Sequence, residues 1–234
     1  MIPLHDDNPT EITPIVTVSF MVACVLVFFW QISLDELAQQ RAVFSFGVIP
    51  AVLFDIKQLA PDLAVLPAEL TVFSSMFLHG GWMHLIGNML YLWIFGNNVE
   101  DAMGHLRFIA FYFLSGIGAA LAQSLANPES TIPMIGASGA ISGILGAYIL
   151  LYPHARVLVA IPLGFFFYTL RLPALAVLGF WFVLQLINSA LTSSDEGGVA
   201  FIAHAGGFVV GMALVPIMKR RGVRLFNPAR GGQL

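Results

Sequence analysis

The sequence predicts an all-α polytopic membrane protein of six transmembrane helices. The composition is the first reason: 58% of the residues are hydrophobic and only 10% are charged, against about 25% charged in an average soluble domain. Length is the second, because a span needs about 20 mostly apolar residues, and 234 residues hold six of them with loops to spare. Cysteine usage is the third. The single Cys24 lies in an apolar run, so the chain has neither a disulfide framework nor a thiolate metal site. A soluble enzyme and a disordered chain are both excluded by this composition. A net charge of −3 offers no basic surface for phosphates, so no nucleic acid is expected as a partner.

The first span is 15–32, an uncharged run. The second, 84–103, carries His84, Asn88, Asn97, Asn98, Glu100 and Asp101, but its middle, 89–95, is free of charge, so it reads as a span with polar ends. The third is 106–125, the fourth 136–152, the fifth 172–191 and the sixth 199–218. Two further apolar stretches are too short to cross. Residues 42–54 are interrupted by Gly47 and Pro50, and residues 157–170 by Pro162 and Gly164. Stretches of this length belong to interfacial or re-entrant structure.

Six crossings put both termini and the loops near 100 and 160 on one side. That side holds eight of the ten basic residues, leaving only Arg41 and Lys57 in the long first loop. The positive-inside rule then makes residues 1–14 a cytoplasmic N-terminus and 219–234 a basic cytoplasmic tail. With no charged n-region and no small-residue cleavage site, the first span reads as an anchor. Neither an internal repeat nor a Ser- or Pro-rich linker divides the chain, so residues 1–234 read as a single membrane domain.

Polar residues inside spans are functional suspects. Ser142, Gln185 and Asn188 are read as packing residues that hydrogen-bond between helices. His84, Asn88, Ser138 and His204 differ, because spans two, four and six run in one direction and all four fall at a similar depth. Gly139 and Gly143, like Gly207 and Gly211, are spaced four apart on one helical face, which lets spans four and six approach closely. A serine hydroxyl becomes a nucleophile when a base takes its proton, and histidine is the usual base. His84 and Asn88, with the free N–H groups at the start of span four, can stabilise a developing oxyanion. From Ser138 to Tyr152 is 15 residues, about 22 Å of helix, so the fourth helix is short and leaves room for water above Ser138. The 13 acidic residues fall in loops, tails or span ends, and the nearest to His204 are Asp195 and Glu196. The expectation is a Ser–His dyad with the histidine held by packing. His79, His84 and His204 lack a carboxylate or thiolate companion, so neither a metal nor any other cofactor is expected.

Three blocks now resemble the rhomboid family of intramembrane serine proteases, in its bacterial six-span form. They are Met76-Phe77-Leu78-His79-Gly80-Gly81-Trp82-Met83-His84-Leu85-Ile86-Gly87-Asn88-Met89, then Gly136-Ala137-Ser138-Gly139, then Ala203-His204-Ala205-Gly206-Gly207-Phe208-Val209-Val210-Gly211. The resemblance implies a rhomboid-like fold with an interfacial first loop and a short fourth helix. It implies Ser138 as nucleophile, His204 as base, and His84, Asn88 and the Ser138 backbone as oxyanion donors. Gly136 and Gly139 then shape the site, and His79 supports the first loop. The implied substrates are single-span membrane proteins cut in or beside their transmembrane segment, reached laterally past span five and under the loop 193–198. The implied setting is the inner membrane of the cell, with membrane lipid as the other partner. Two positions depart from the pattern: Leu70-Thr71 stands where many relatives carry Trp-Arg, and Ser142 where some carry Tyr. A catalytically inactive, client-binding relative is the alternative; such proteins typically lose the serine or the histidine, and this chain keeps both. A transporter built of matching halves finds no support in the sequence.

Overall fold

A computed structural model of the chain describes residues 1–164, 166–191 and 201–227. The chain opens with a strand, β1 (Ile2–Asp6), and enters α1 (Ile15–Ser33), an uncharged helix of 19 residues. Three short helices follow: α2 (Glu36–Phe46), α3 (Pro50–Leu53) and α4 (Ala68–Ser74). Asp35 caps α2 by accepting from the N–H of Ala38 at 2.8 Å, and Arg41 of α2 pairs with Asp62. None of the three reaches crossing length.

Next comes a continuous helical run made of α5 (Trp82–Tyr91), a π turn (Leu92–Gly96) and α6 (Asn97–Met103). Gly104, at φ +78°, breaks it and leads into α7 (His105–Ala126) and then α8 (Ser138–Leu151). Strands β2 (Arg156–Leu163) and β3 (Phe166–Pro173) run directly into α9 (Ala174–Leu191), and α10 (Phe201–Met218) follows. Four of these helices, α1, α7, α9 and α10, are long and apolar enough to cross a membrane. The chain is a multi-pass membrane protein.

The expectation of an all-α fold needs correction. Strands β1, β2 and β3 form an antiparallel sheet in that order, with Asp6 opposite Val157 and Leu163 opposite Phe166. The run Val157-Leu158-Val159-Ala160-Ile161 is rich in β-branched residues, which suit a pleated strand. Gly164, at φ +61°, supplies the backbone that a tight hairpin turn demands. The stretch 157–170 is therefore a hairpin, the N-terminus is a strand, and α9, expected as the fifth span from 172, begins at Ala174 because Leu172 and Pro173 complete β3.

Helix α8 is the hub, packed against both α7 and α10. Its residues from Ala140 to Ile149 are all buried, although it has only 14 residues and a length of about 21 Å. Gly207 faces the Gly139 carbonyl and Gly211 faces the Gly143 carbonyl, so α8 and α10 run parallel, with the first turn of α8 beside the second turn of α10. Close backbone approach of this kind is what small residues at four-residue spacing permit. The basic segment after α10 is docked. Arg220 donates its N–H to the Ala102 carbonyl and its guanidinium to Asp101, both within 2.9 Å. The N–H groups of Phe226 and Asn227 close the end of α8 on the carbonyls of Leu150 and Leu151. The loop 193–198, with Asp195 and Glu196, the start of the sixth predicted span, and residues 228–234 of the tail lie outside the described residues.

Candidate active site

Ser138 is the first residue of α8, so its N–H and those of Gly139 and Ala140 precede the first intrahelical bond, which Ile141 makes to Ala137. The turn before it depends on Gly136. Its φ is +123°, and a Cβ there would stand 2.7 Å from His84 Nε2. The Gly136 N–H is tied to the Ser75 carbonyl at 2.9 Å, which fixes the turn against the segment leading to α5.

His84 and Asn88 project from α5 one turn apart. His84 Nδ1 accepts from the N–H of Gly80 at 3.3 Å, so the ring proton of the neutral imidazole sits on Nε2. That nitrogen faces Gly136, whose open side the Ser138 hydroxyl also borders. Asn88 is 7% exposed, and its amide Nδ2 has no partner among the described residues. An orphaned buried donor beside a cavity is positioned for a group that arrives later.

His204 stands in the first turn of α10, at the level of Ser138 because the two helices are parallel. Ser138, His204, His84 and Asn88 line one cavity of about 880 Å³. Ser138 Oγ and His204 share this wall without a direct hydrogen bond; such contacts commonly tighten only when substrate is bound. Ser142, which also lines the cavity, donates its Oγ back to the Ser138 carbonyl at 2.6 Å, a bond within α8.

The expectation that packing alone holds His204 is corrected. Its Nδ1 is 2.8 Å from Oε1 of Gln185 on α9, and the Trp181 ring flanks it at a centroid distance of 5.9 Å. Gln185, expected from the sequence to hydrogen-bond between helices, does so to His204. The polar partner of the histidine is an amide, where a triad would place a carboxylate.

His79 sits outside the cavity wall, in the loop before α5. Its N–H donates to Gln31 Oε1 at 3.0 Å, its Nδ1 bonds the Phe77 carbonyl at 3.2 Å, and its ring meets the edge of His84 at 5.2 Å. Burial, with the neighbouring His84 adding to it, pushes the imidazole down to about 4. The ring is thus bonded to backbone on one side and packed against His84 on the other.

Residues 67–221, well over half of the chain, match the family model described as the Rhomboid domain. The chain belongs to the rhomboid family. Among its relatives are RHOMBOID-like protein 5 of Arabidopsis thaliana, 33% identical over 141 residues, which covers 60% of this chain and 41% of that one. Rhomboid protein 1, mitochondrial, of Saccharomyces cerevisiae is 30% identical over 149 residues, covering 62% and 40%. Rhomboid-like protease 5 of Toxoplasma gondii is 40% identical over 79 residues, covering 32% of this chain and 9% of that protein. The rhomboid matched here spans about two fifths of the length of the first two relatives. The family match includes the π turn, α8 and α10, and so contains His84, Asn88, Ser138 and His204 of the cavity wall.

Proposed function

We propose that this rhomboid is an intramembrane serine endopeptidase. One observation carries the reading: a serine at a helix N-terminus, a histidine on the adjacent parallel helix, and two donors on a third helix converge on one cavity. In the proposed reaction His204 takes the Ser138 proton as Oγ attacks a substrate carbonyl. The oxyanion forms among His84 Nε2–H, the Asn88 amide and the free Ser138 N–H. The tetrahedral intermediate collapses, the C–N bond breaks and His204 protonates the leaving amine. Water in the cavity then attacks the acyl-enzyme as His204 takes its proton, the ester C–O bond to Ser138 breaks, and His204 returns the proton to Oγ.

The substrate class follows from the setting. A membrane helix hides its carbonyls in hydrogen bonds, so the substrate is a single-span membrane protein whose segment unwinds near the cut. The matching topology is six crossings within one membrane domain, with the 82–103 run as the second and the short α8 as the fourth. In this topology both termini are cytoplasmic and the cavity lies toward the opposite face. For a chain of the bacterial form the membrane is the inner membrane.

Labelling of the detergent-solubilised protein with a fluorophosphonate tests the proposal. Wild type is expected to label and Ser138→Ala to stay unlabelled, while His204→Ala labels far more slowly. Wild type that labels no better than Ser138→Ala makes the chain a client-binding protein without protease activity.

A further inference from the structure

We infer that Gln185 is the positioning residue for His204: its amide fixes the histidine in the tautomer that leaves Nε2 bare toward Ser138. The inference rests on the protease reading and adds to it the third member of the dyad's chain. It begins from the chemistry of an amide, which offers one accepting oxygen and one donating nitrogen. Gln185 Nε2 lies 3.5 Å from the carbonyl of Trp181, one turn back on α9. A carbonyl only accepts, so the amide nitrogen belongs on that side and Oε1 faces His204. Oε1 in turn only accepts, so the His204 nitrogen at 2.8 Å carries the proton. Nδ1–H is thereby selected, and the base of the reaction is Nε2.

The surroundings make this arrangement rigid. Gln185 is 8% exposed, so water does not compete for its oxygen, and a buried amide without its partner loses more than the bond is worth. Trp181 and Gln185 occupy one face of α9, four residues apart, and both touch the same histidine, one by its ring and one by its amide. Ser142, at the position where some relatives carry a tyrosine, points its hydroxyl back to the Ser138 carbonyl and leaves the imidazole to these two residues. A neutral amide also differs from a carboxylate in consequence: it orients the ring without stabilising the imidazolium by charge. The dyad therefore draws orientation from α9, the same helix that borders the lateral path proposed for substrate.

Two variants and a spectrum test this. Gln185→Met keeps the length of the side chain and removes the acceptor; Gln185→Glu restores one. With a single-span reporter in detergent, Gln185→Met is expected to lower kcat on the order of 10²-fold, with KM changed less than about twofold by analogy with loss of a transition-state interaction. Gln185→Glu is expected to recover most of that loss. Histidine ¹⁵N spectra of the wild type at neutral pH should show a His204 ring protonated at Nδ1, and Gln185→Met should show exchange between tautomers. Equal kcat in Gln185→Met and wild type overturns the inference, as does a Gln185→Glu variant no better than Gln185→Met. If Gln185→Met does not fold, the wild-type spectrum alone decides, since a ring protonated at Nε2 contradicts the assignment. Failure of wild type to label with fluorophosphonate is a separate result: it removes the protease reading and leaves the tautomer measurement standing.

Discussion

The Glu100 carboxylate accepts from both the backbone N–H and the hydroxyl of Thr17, at 2.8 and 2.6 Å. Its other oxygen takes the N–H of Val16 at 2.9 Å and faces His105 Nδ1 at 2.6 Å. Glu100 is fully buried. It serves as a remote N-cap for α1, whose preceding residue, Pro14, contributes no side-chain cap. The helix N-terminus favours the negative charge, and this one group clamps α1 to α6 and α7.

Glu100→Ala is therefore expected to be among the most damaging single changes outside the cavity. Removing the acceptor of a buried charged network costs about 3–5 kcal/mol, and Thr17→Val, which deletes one bond to a charged group, costs about 1.5–3 kcal/mol. Thermal unfolding in detergent micelles should rank wild type above Thr17→Val and Thr17→Val above Glu100→Ala. Equal midpoints for Glu100→Ala and wild type would show that the clamp is not holding α1.

That clamp marks the limit of what the sequence discloses. Periodicity and apolar length reveal α1, α7, α9 and α10, and the order of three short blocks reveals that Ser138, His84, Asn88 and His204 belong together. Glu100 and Asp101 read only as the polar end of a span, because the partners that give them their role, Val16 and Thr17 on α1 and Arg220 beyond α10, are 83 to 119 residues away. Asp6 is similar: its carboxylate accepts from Tyr148 OH at 2.6 Å and from Asn98 at 2.9 Å, 142 and 92 residues away. Burial raises its pKa above the usual carboxylate range, yet its neighbours in sequence look like a solvated tail. Gln185 escapes for the same reason. A lone amide in a span reads as helix packing until α9 and α10 are seen side by side.

The parallel seam between α8 and α10 gives a second expectation. A Cβ on Gly211 would press into the Gly143 backbone, where no side chain can rotate away. Gly211→Ala should separate the helices two turns below the site and draw His204 off Ser138. We expect lower thermal stability together with a fluorophosphonate labelling rate reduced at least tenfold, overpacking of this kind costing about 1–3 kcal/mol. Gly179→Ala on α9, where a Cβ meets nothing within 4 Å, is the control and should behave as wild type.

Gly136→Ala isolates geometry from stability. The left-handed backbone costs an alanine about 1–2 kcal/mol, and the new methyl meets His84 Nε2 and Cε1 at 2.7 and 2.8 Å. The imidazole must swing away from the oxyanion position. Labelling should fall far more than the unfolding temperature does. A variant that unfolds early but, while folded, labels at the wild-type rate would show that His84 has no part in the reaction.

The acid side of the stability profile should report His79. In the unfolded chain this imidazole titrates near 6.5, and in the folded protein burial holds it down to about 4. The folded state thus binds fewer protons across that interval, so stability is full above pH 6.5 and is lost as the pH falls toward 4. The difference corresponds to on the order of 3 kcal/mol. His79→Asn should flatten the unfolding profile between these limits, measured by thermal melts at fixed ionic strength. An unchanged slope would assign the acid sensitivity to another group.

Asn88 supplies the most specific test of the oxyanion site. Its Nδ2 is buried, lines the cavity and has no partner among the described residues, so the free protein already carries the desolvation of that donor. Catalysis gains from such a group because the bond forms only as charge develops on the substrate oxygen. Asn88→Ala should lower kcat by about 10²–10³-fold and leave KM nearly unchanged. Some turnover should remain, because the Ser138 N–H and His84 Nε2–H still face the oxyanion. Asn88→Asp is nearly isosteric but turns the donor into an acceptor and adds negative charge where negative charge must form. It should therefore be slower than Asn88→Ala, although the alanine leaves the larger void. If the two variants rank by the size of the void instead, Asn88 acts through packing and donates nothing to the transition state.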